Sequence, residues 1–218
     1  MSERWATFDC YGTLIDWEGG LREAFAALWP EADRDRLLGL HHLIEPRIEE
    51  HGALPYREVL ARCLQAAAAI EGLEVPTGRA NALAASLPSW PPFPEVTPAL
   101  SELRERGWSL AILSNTDPEL LAASVEAIGV RFDVLVTADD AGSYKPGPGH
   151  WERFFELTGC EREHHVHVAA SLFHDIGPAD RLGLRAVWIN RLGESSDLPR
   201  AAELPDLGGL PDVLDGVA

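Results

Sequence analysis

Two hydrophobic rhythms divide this chain. The runs Trp5–Phe8, Ser109–Leu113, Asp133–Val136, His165–Ala169 and Arg185–Ile189 are short and nearly continuously apolar. Such runs suit strands of a parallel sheet covered on both faces. Helix signals lie between them. Thr97-Pro98 supplies an N-cap and a first-turn proline, with Gly107 as the stop; Asp117-Pro118 repeats the start and Gly129 the stop; Gly177-Pro178 opens a third helix that ends near Gly183. Alternation at this pitch predicts an α/β fold with a Rossmann-like, doubly wound parallel sheet.

Residues 17–91 follow the other rhythm. Leu21, Phe25 and Leu28 recur at helical spacing, as do Leu37, Leu40, Ile44 and Ile48, and then Tyr56, Leu60, Cys63, Leu64 and Ala67. Pro30, Pro55 and Pro76 punctuate these stripes, and Pro88 to Pro94 forms a stiff return. The pattern predicts an α-helical cap, residues 17–91, inserted into a catalytic core built from residues 1–16 and 92–218. A helical cap entering directly after the first strand would cover the strand ends, where open α/β sheets bind ligands. The tail from Glu194 reads as irregular until a short final helix.

Composition narrows the partners. The 218 residues carry a formal net charge of −17, which argues against nucleic acid and against an anionic membrane surface. No stretch of about 18 apolar residues suggests a membrane span. Met1-Ser2-Glu3-Arg4 lacks the basic start and apolar core of a signal peptide. Cys10, Cys63 and Cys160 are odd in number and lack metal-type spacing, as expected of reduced thiols in a cytoplasmic protein. His164, His165 and His167 superficially resemble a metal cluster, but side chains alternate between the faces of a strand and packing is the preferred reading. Oligomeric state is left open, a homodimer included.

The candidate chemistry begins at Asp9, an acid placed where an apolar strand gives out into the turn Cys10-Tyr11-Gly12-Thr13. A carboxylate there is poorly solvated, needs donors or a cation, and is a candidate covalent nucleophile. Read in isolation, it could equally cap the turn. Thr13 follows on the same loop, where its hydroxyl either orients Asp9 or stabilises the turn. Lys145, before Pro146, is the only lysine in the chain. Leu113-Ser114-Asn115-Thr116 ends one strand-like run, and Ser171-Leu172-Phe173-His174-Asp175 follows another.

Together the four segments resemble, in order, the motifs of the haloacid dehalogenase superfamily, over roughly residues 3–16 and 93–192. The resemblance implies that Lys145 lies beside Asp9 and that Ser114 and Asn115 contact nucleophile and substrate. Tyr11 stands two positions after Asp9, where superfamily phosphatases carry a second Asp, and Ala170 stands where they hold a magnesium acid. Tyrosine at that position is similar to the (S)-2-haloacid dehalogenase branch, which implies a small haloacid substrate and no metal or cofactor. The implied reaction is displacement of halide by Asp9, then hydrolysis of the aspartyl ester, with Asp175 positioning or activating water. An N-cap is the alternative role for Asp175. Ser171 shares its loop, and His174 is an expected donor to halide. Arg47 is the nearest arginine to the position expected to grip the substrate carboxylate, where Leu40-His41-His42 stands. Trp151 replaces a tyrosine common in the branch, and with Trp17 it is expected to narrow the pocket toward haloacetates, fluoroacetate included. A magnesium-dependent phosphatase and a non-catalytic binding relative are the competing readings.

Overall fold

Trp5 and Phe8 leave the first strand on opposite faces, and each joins a different hydrophobic core. In this computed structural model, which describes residues 4–50 and 54–217, that division runs across a whole sheet. Residues 1–3 and 218 of the expected core and 51–53 of the expected insertion lie outside the described residues. The strands are β1 (Arg4–Phe8), β2 (Trp108–Ser114), β3 (Val134–Thr137), β4 (His165–Ala169), β5 (Ala186–Ile189) and β6 (Ala202–Leu204). All pair in parallel, in the order β3-β2-β1-β4-β5-β6. Ala6, Phe8, Leu110, Ile112, Val166, Val168, Val187 and Ile189 fill one core; Trp5, Ala111, Leu113, Ala186 and Trp188 fill the other. Burial on both faces is why these strands read as continuous apolar runs.

The chain moves from β1 out to β3, then returns to place β4 on the other side of β1. That reversal is a topological switch point, and the crevice beyond the carboxyl ends there is where such sheets bind ligands. Asp9 is the first residue past β1, and its N–H is bonded to Val168 O of β4 at 3.0 Å.

Among the described residues, four α-helices fill the insertion that follows β1: α1 (Trp17–Leu28), α2 (Arg34–Glu49), α3 (Tyr56–Glu71) and α4 (Ala82–Ser86). Asp16 and Asp33 cap the first two through Gly19 N at 2.9 Å and Arg36 N at 3.0 Å. The stripes expected in α1 and α3 are buried throughout. In α2 the burial departs from expectation. Leu37 is buried, but Leu40, Ile44 and Ile48 are only half-buried, while the polar His41, Glu45 and Glu49 are buried. One flank of α2 faces the crevice instead of a dry core.

The remaining helices are α5 (Val96–Glu105), α6 (Pro118–Ile128), α7 (Ala138–Ala141), α8 (Gly149–Thr158), α9 (Gly177–Arg181) and α10 (Leu210–Val217). Three local expectations need correction. Thr97 does not cap α5; its hydroxyl donates to Ile128 O at 2.8 Å. Asp117 makes no side-chain cap on α6; its carboxylate accepts from Tyr56 N at 2.6 Å and Arg57 N at 3.0 Å, capping α3 across the fold. The tail is not irregular, because β6 adds a parallel edge strand before α10. Three residues are too few to show a period. Among the described residues no helix is long and apolar enough to cross a membrane.

Candidate active site

Gly12 adopts φ +89°, a conformation that a side chain would strain, and this lets the chain double back after Asp9. Leu14 N bonds Cys10 O at 2.8 Å, and Thr13 arrives beneath the acid. Its hydroxyl donates to Asp9 Oδ2 at 2.8 Å and accepts from Ala170 N at 2.9 Å. Thr13 therefore ties the first loop to the one after β4.

Lys145 Nζ occupies the other side of Asp9. It donates to Asp9 Oδ1 at 2.8 Å, Asp175 Oδ1 at 2.7 Å and Leu113 O at 2.9 Å, so all three N–H bonds are used. Asn115 sets the lysine's position by clamping its backbone: Nδ2 donates to Lys145 O at 3.0 Å, and Lys145 N donates to Oδ1 at 2.7 Å. The amide expected to contact substrate is thus committed first to the loop. Its other direction is toward Glu49, 3.5 Å away.

The electrostatics follow from burial. Removal from water pushes the Asp9 carboxyl up, while the Lys145 ammonium pulls against that shift. For Asp175, burial also raises, but Lys145 and His167 overcome it and hold the group well below the usual carboxylate range. Burial disfavours the Lys145 ammonium, yet Asp175 and Asp9 more than offset this and raise it. One buried cation thus serves two acids. Neighbouring Cys10 is buried and its thiol is pushed up, first by burial and then by Asp9, as expected of a packing residue.

A cavity of about 680 Å³ opens over this triad. Asp9, Tyr11, Ser114, Asn115, Lys145, Ser171, His174 and Asp175 all line it, so the structure brings together eight of the expected residues. Ser114 is buried and its hydroxyl has no partner, which leaves a donor at the cavity wall. Its backbone O accepts from His150 Nε2 at 3.0 Å; burial, with Lys145, lowers that imidazole to about 3. Tyr11 presents its ring, stacked on Tyr56 at 6.4 Å, and its hydroxyl is 3.0 Å from Ser124 Oγ. Asp175 is no N-cap: Ser171 holds that place at a π-helical turn, Leu172–Ile176, its Oγ accepting from His174 N at 3.0 Å.

Three expected residues do not line the cavity: Thr13, which holds Asp9 from behind, and two that lie away from the acid. Arg47 is exposed and lies off its walls, because the cavity flank of α2 carries His42, Glu45, Pro46 and Glu49 and position 47 projects elsewhere. Trp151 is buried behind the triad, edge-on to His167 at 5.2 Å, and so cannot narrow the pocket. Trp17 does line it.

The sequence reading missed the acids of α2. Glu49 Oε2 lies 3.4 Å from His174 Nε2, and Glu45 Oε1 accepts from Tyr56 Oη at 2.8 Å with His41 Nε2 at 3.3 Å. Burial and the charge of Glu45 push Glu49 up to about 7. Burial opposes the charge on His174, but Glu49 outweighs it and raises the imidazole. The available signal was His41, Glu45 and Glu49 at i, i+4 spacing beside an apolar stripe. Arg22 and Arg191 also line the cavity, each already paired: Arg22 with Glu18 and Asp35, Arg191 with Glu95 and Thr13 O.

The donors do not fit magnesium, which wants near-octahedral oxygen ligands. An ammonium joins the two core carboxylates, and Tyr11 and Ala170 stand where the family resemblance places further acids in phosphatases. Among the described residues no group of three or more His, Cys, Asp or Glu is arranged to hold a metal, the His164–His167 segment included.

Comparison with known proteins matches residues 4–183 to a family model described as haloacid dehalogenase-like hydrolase. The haloacetate dehalogenase H-2 of Moraxella sp. (strain B) is 31% identical over 226 residues, covering 96% of this chain and 94% of that protein. The (S)-2-haloacid dehalogenase of Pseudomonas sp. (strain YL) is 30% identical over 198 residues, covering 85% of this chain and 82% of that one. Among solved structures, the L-2-haloacid dehalogenase RSc1362 superposes with a TM-score of 0.87 at 27% identity, over 99% of this chain and 100% of that one.

Proposed function

This chain belongs to the haloacid dehalogenase-like hydrolases, and we propose that within that family it hydrolyses short 2-haloacids, haloacetates included, without a cofactor. The observation that carries this reading is the Lys145 ammonium shared by Asp9 and Asp175, with Thr13 fixing the second Asp9 oxygen. A carboxylate so held is paired with a cation and oriented, as a nucleophile at carbon requires. Residues 17–91 act as the cap over a core of residues 1–16 and 92–218.

In the first step an Asp9 oxygen forms a bond to C2, the carbon–halogen bond breaks, and halide departs with its electron pair. Ser114 donates to the substrate carboxylate. His174, drawn toward its charged form by Glu49, donates to the halide. In the second step water adds to the Asp9 carbonyl carbon and one of its protons passes to Asp175. The ester C–O bond then breaks, and the alkoxide takes that proton to leave as a 2-hydroxy acid. The Asp9 carboxylic acid releases its proton to solvent, so each turnover yields one halide and one proton.

The test is a panel of fluoro-, chloro- and bromoacids assayed for halide, beside a generic phosphate ester with magnesium. Halide release that Asp9→Asn abolishes is expected. Phosphate release with no halide would replace this reading with the phosphatase one, and no turnover of either kind would favour a binding relative.

A further inference from the structure

Two histidines on β4, His165 and His167, lie two residues apart on one buried face of the sheet, where apolar side chains would pack at no polar cost. A buried polar group without a partner costs roughly 2–7 kcal/mol. One hydroxyl reaches both: Thr7 Oγ1 is 2.8 Å from His165 Nε2 and 2.8 Å from His167 Nδ1. His167 Nε2 in turn lies 3.0 Å from Asp175 Oδ1. Thr7, His165 and His167 are fully buried, and Trp151, Phe154 and Phe155 wall them in at ring distances of 5.1–5.2 Å.

The donors can be assigned in one self-consistent direction. The Asp175 carboxylate only accepts, so His167 Nε2 carries a proton and donates to it. The Thr7 hydroxyl then donates to His167 Nδ1 and accepts from His165 Nε2. The chain ends at His165 Nδ1, which has no partner, on an imidazole that burial keeps neutral. The whole network therefore points at one atom of the active site.

That atom is already engaged. Asp175 Oδ1 receives both the His167 imidazole and the Lys145 ammonium, whereas buried Oδ2 has no partner and Asp175 lines the cavity. We propose that His167, braced through Thr7 by His165, is a positioning residue for ester hydrolysis: it commits one oxygen of Asp175 and leaves the other to receive the attacking water. The proposal rests on the dehalogenase reading. Ester formation does not need a water-holding oxygen on Asp175, so the two chemical steps respond differently to loss of the network. Lys145 and Asp9 face the same carboxylate, and His174 stands beside it on the π-helical turn.

The experiment is rapid-quench single turnover of chloroacetate, reading halide release and, by intact mass, the ester on Asp9. In His167→Phe, hydrolysis is expected to slow on the order of 10–100-fold, the range a small misplacement costs. Ester formation should stay within about threefold of wild type, and the acid limb of hydrolysis should move up in pH as Asp175 loses a donor. His167→Gln keeps an N–H donor and should restore most of the rate. Thr7→Val carries the same readout should His167→Phe not fold. Hydrolysis at the wild-type rate with an unchanged pH profile, or equal slowing of both steps, would overturn the positioning role while leaving the reaction standing. No halide and no ester in wild type would instead bring down the dehalogenase reading itself.

Discussion

Replacing Lys145 with methionine keeps the length of the side chain and deletes its charge. The ammonium makes three hydrogen bonds, two of them to carboxylates at 2.7 and 2.8 Å, and is 1% exposed. The variant leaves two buried acids facing one another with no cation between them, and removing one partner from a buried ion pair costs about 3–5 kcal/mol. With a urea m value of about 2–3 kcal/mol/M, the unfolding midpoint falls by roughly 1.5 M. The pH dependence carries a sign. Asp175 in the native protein titrates below its unfolded value of 3.8, so its stabilisation is present above that value and lost on acidification. In the variant the crowded acids titrate above their unfolded values, so stability is greatest in acid and falls as pH rises through the raised values. The gap between the two proteins therefore widens from pH 5 to pH 8. Urea titrations followed by tryptophan fluorescence at both pH values measure it. A loss below 1 kcal/mol that is equal at both would refute the shared-cation account, and Asp175→Asn added to the variant should recover part of the loss.

Three further outcomes are expected. Glu49 is raised from 4.5 to about 7, so its contribution is present below about 4.5 and lost as pH rises through 7. Glu49→Gln should flatten the stability–pH curve in that window, gaining at most about 3 kcal/mol at pH 8; parallel curves would contradict the shift. Asp117→Ala removes the N-cap of α3 and the Arg57 ion pair, costing about 1–2 kcal/mol and raising KM more than it lowers kcat as α3 loosens from the core; steady-state kinetics and denaturation measure both. In Gly20→Ala the new Cβ would lie 2.3 Å from Trp90 Cγ, a buried ring that cannot yield, so a loss of about 1–3 kcal/mol in thermal unfolding is expected.

The family resemblance grouped Ser114, Lys145 and Asp175 with Asp9; chain order alone made the strand runs, the inserted helices and the acid at the end of the first strand legible. Each rests on local physics: strands buried on both faces must be apolar along their length, amphipathic helices must repeat near 3.6 residues, and a reactive acid at a strand end needs a turn after it. What the fold alone decided are pairings between distant residues. Asp117 reads as a cap for its own helix until α3 is brought against it. Arg47 reads as the nearest cation until the rotation of α2 turns Glu45 and Glu49 inward in its place. His165 and His167 read as packing until the register of β4 beside β1 sets both against Thr7. Periodicity reports which face of an element is buried, but what that face meets depends on long-range placement. A polar residue on a buried face acquires its meaning only from the neighbour that satisfies it.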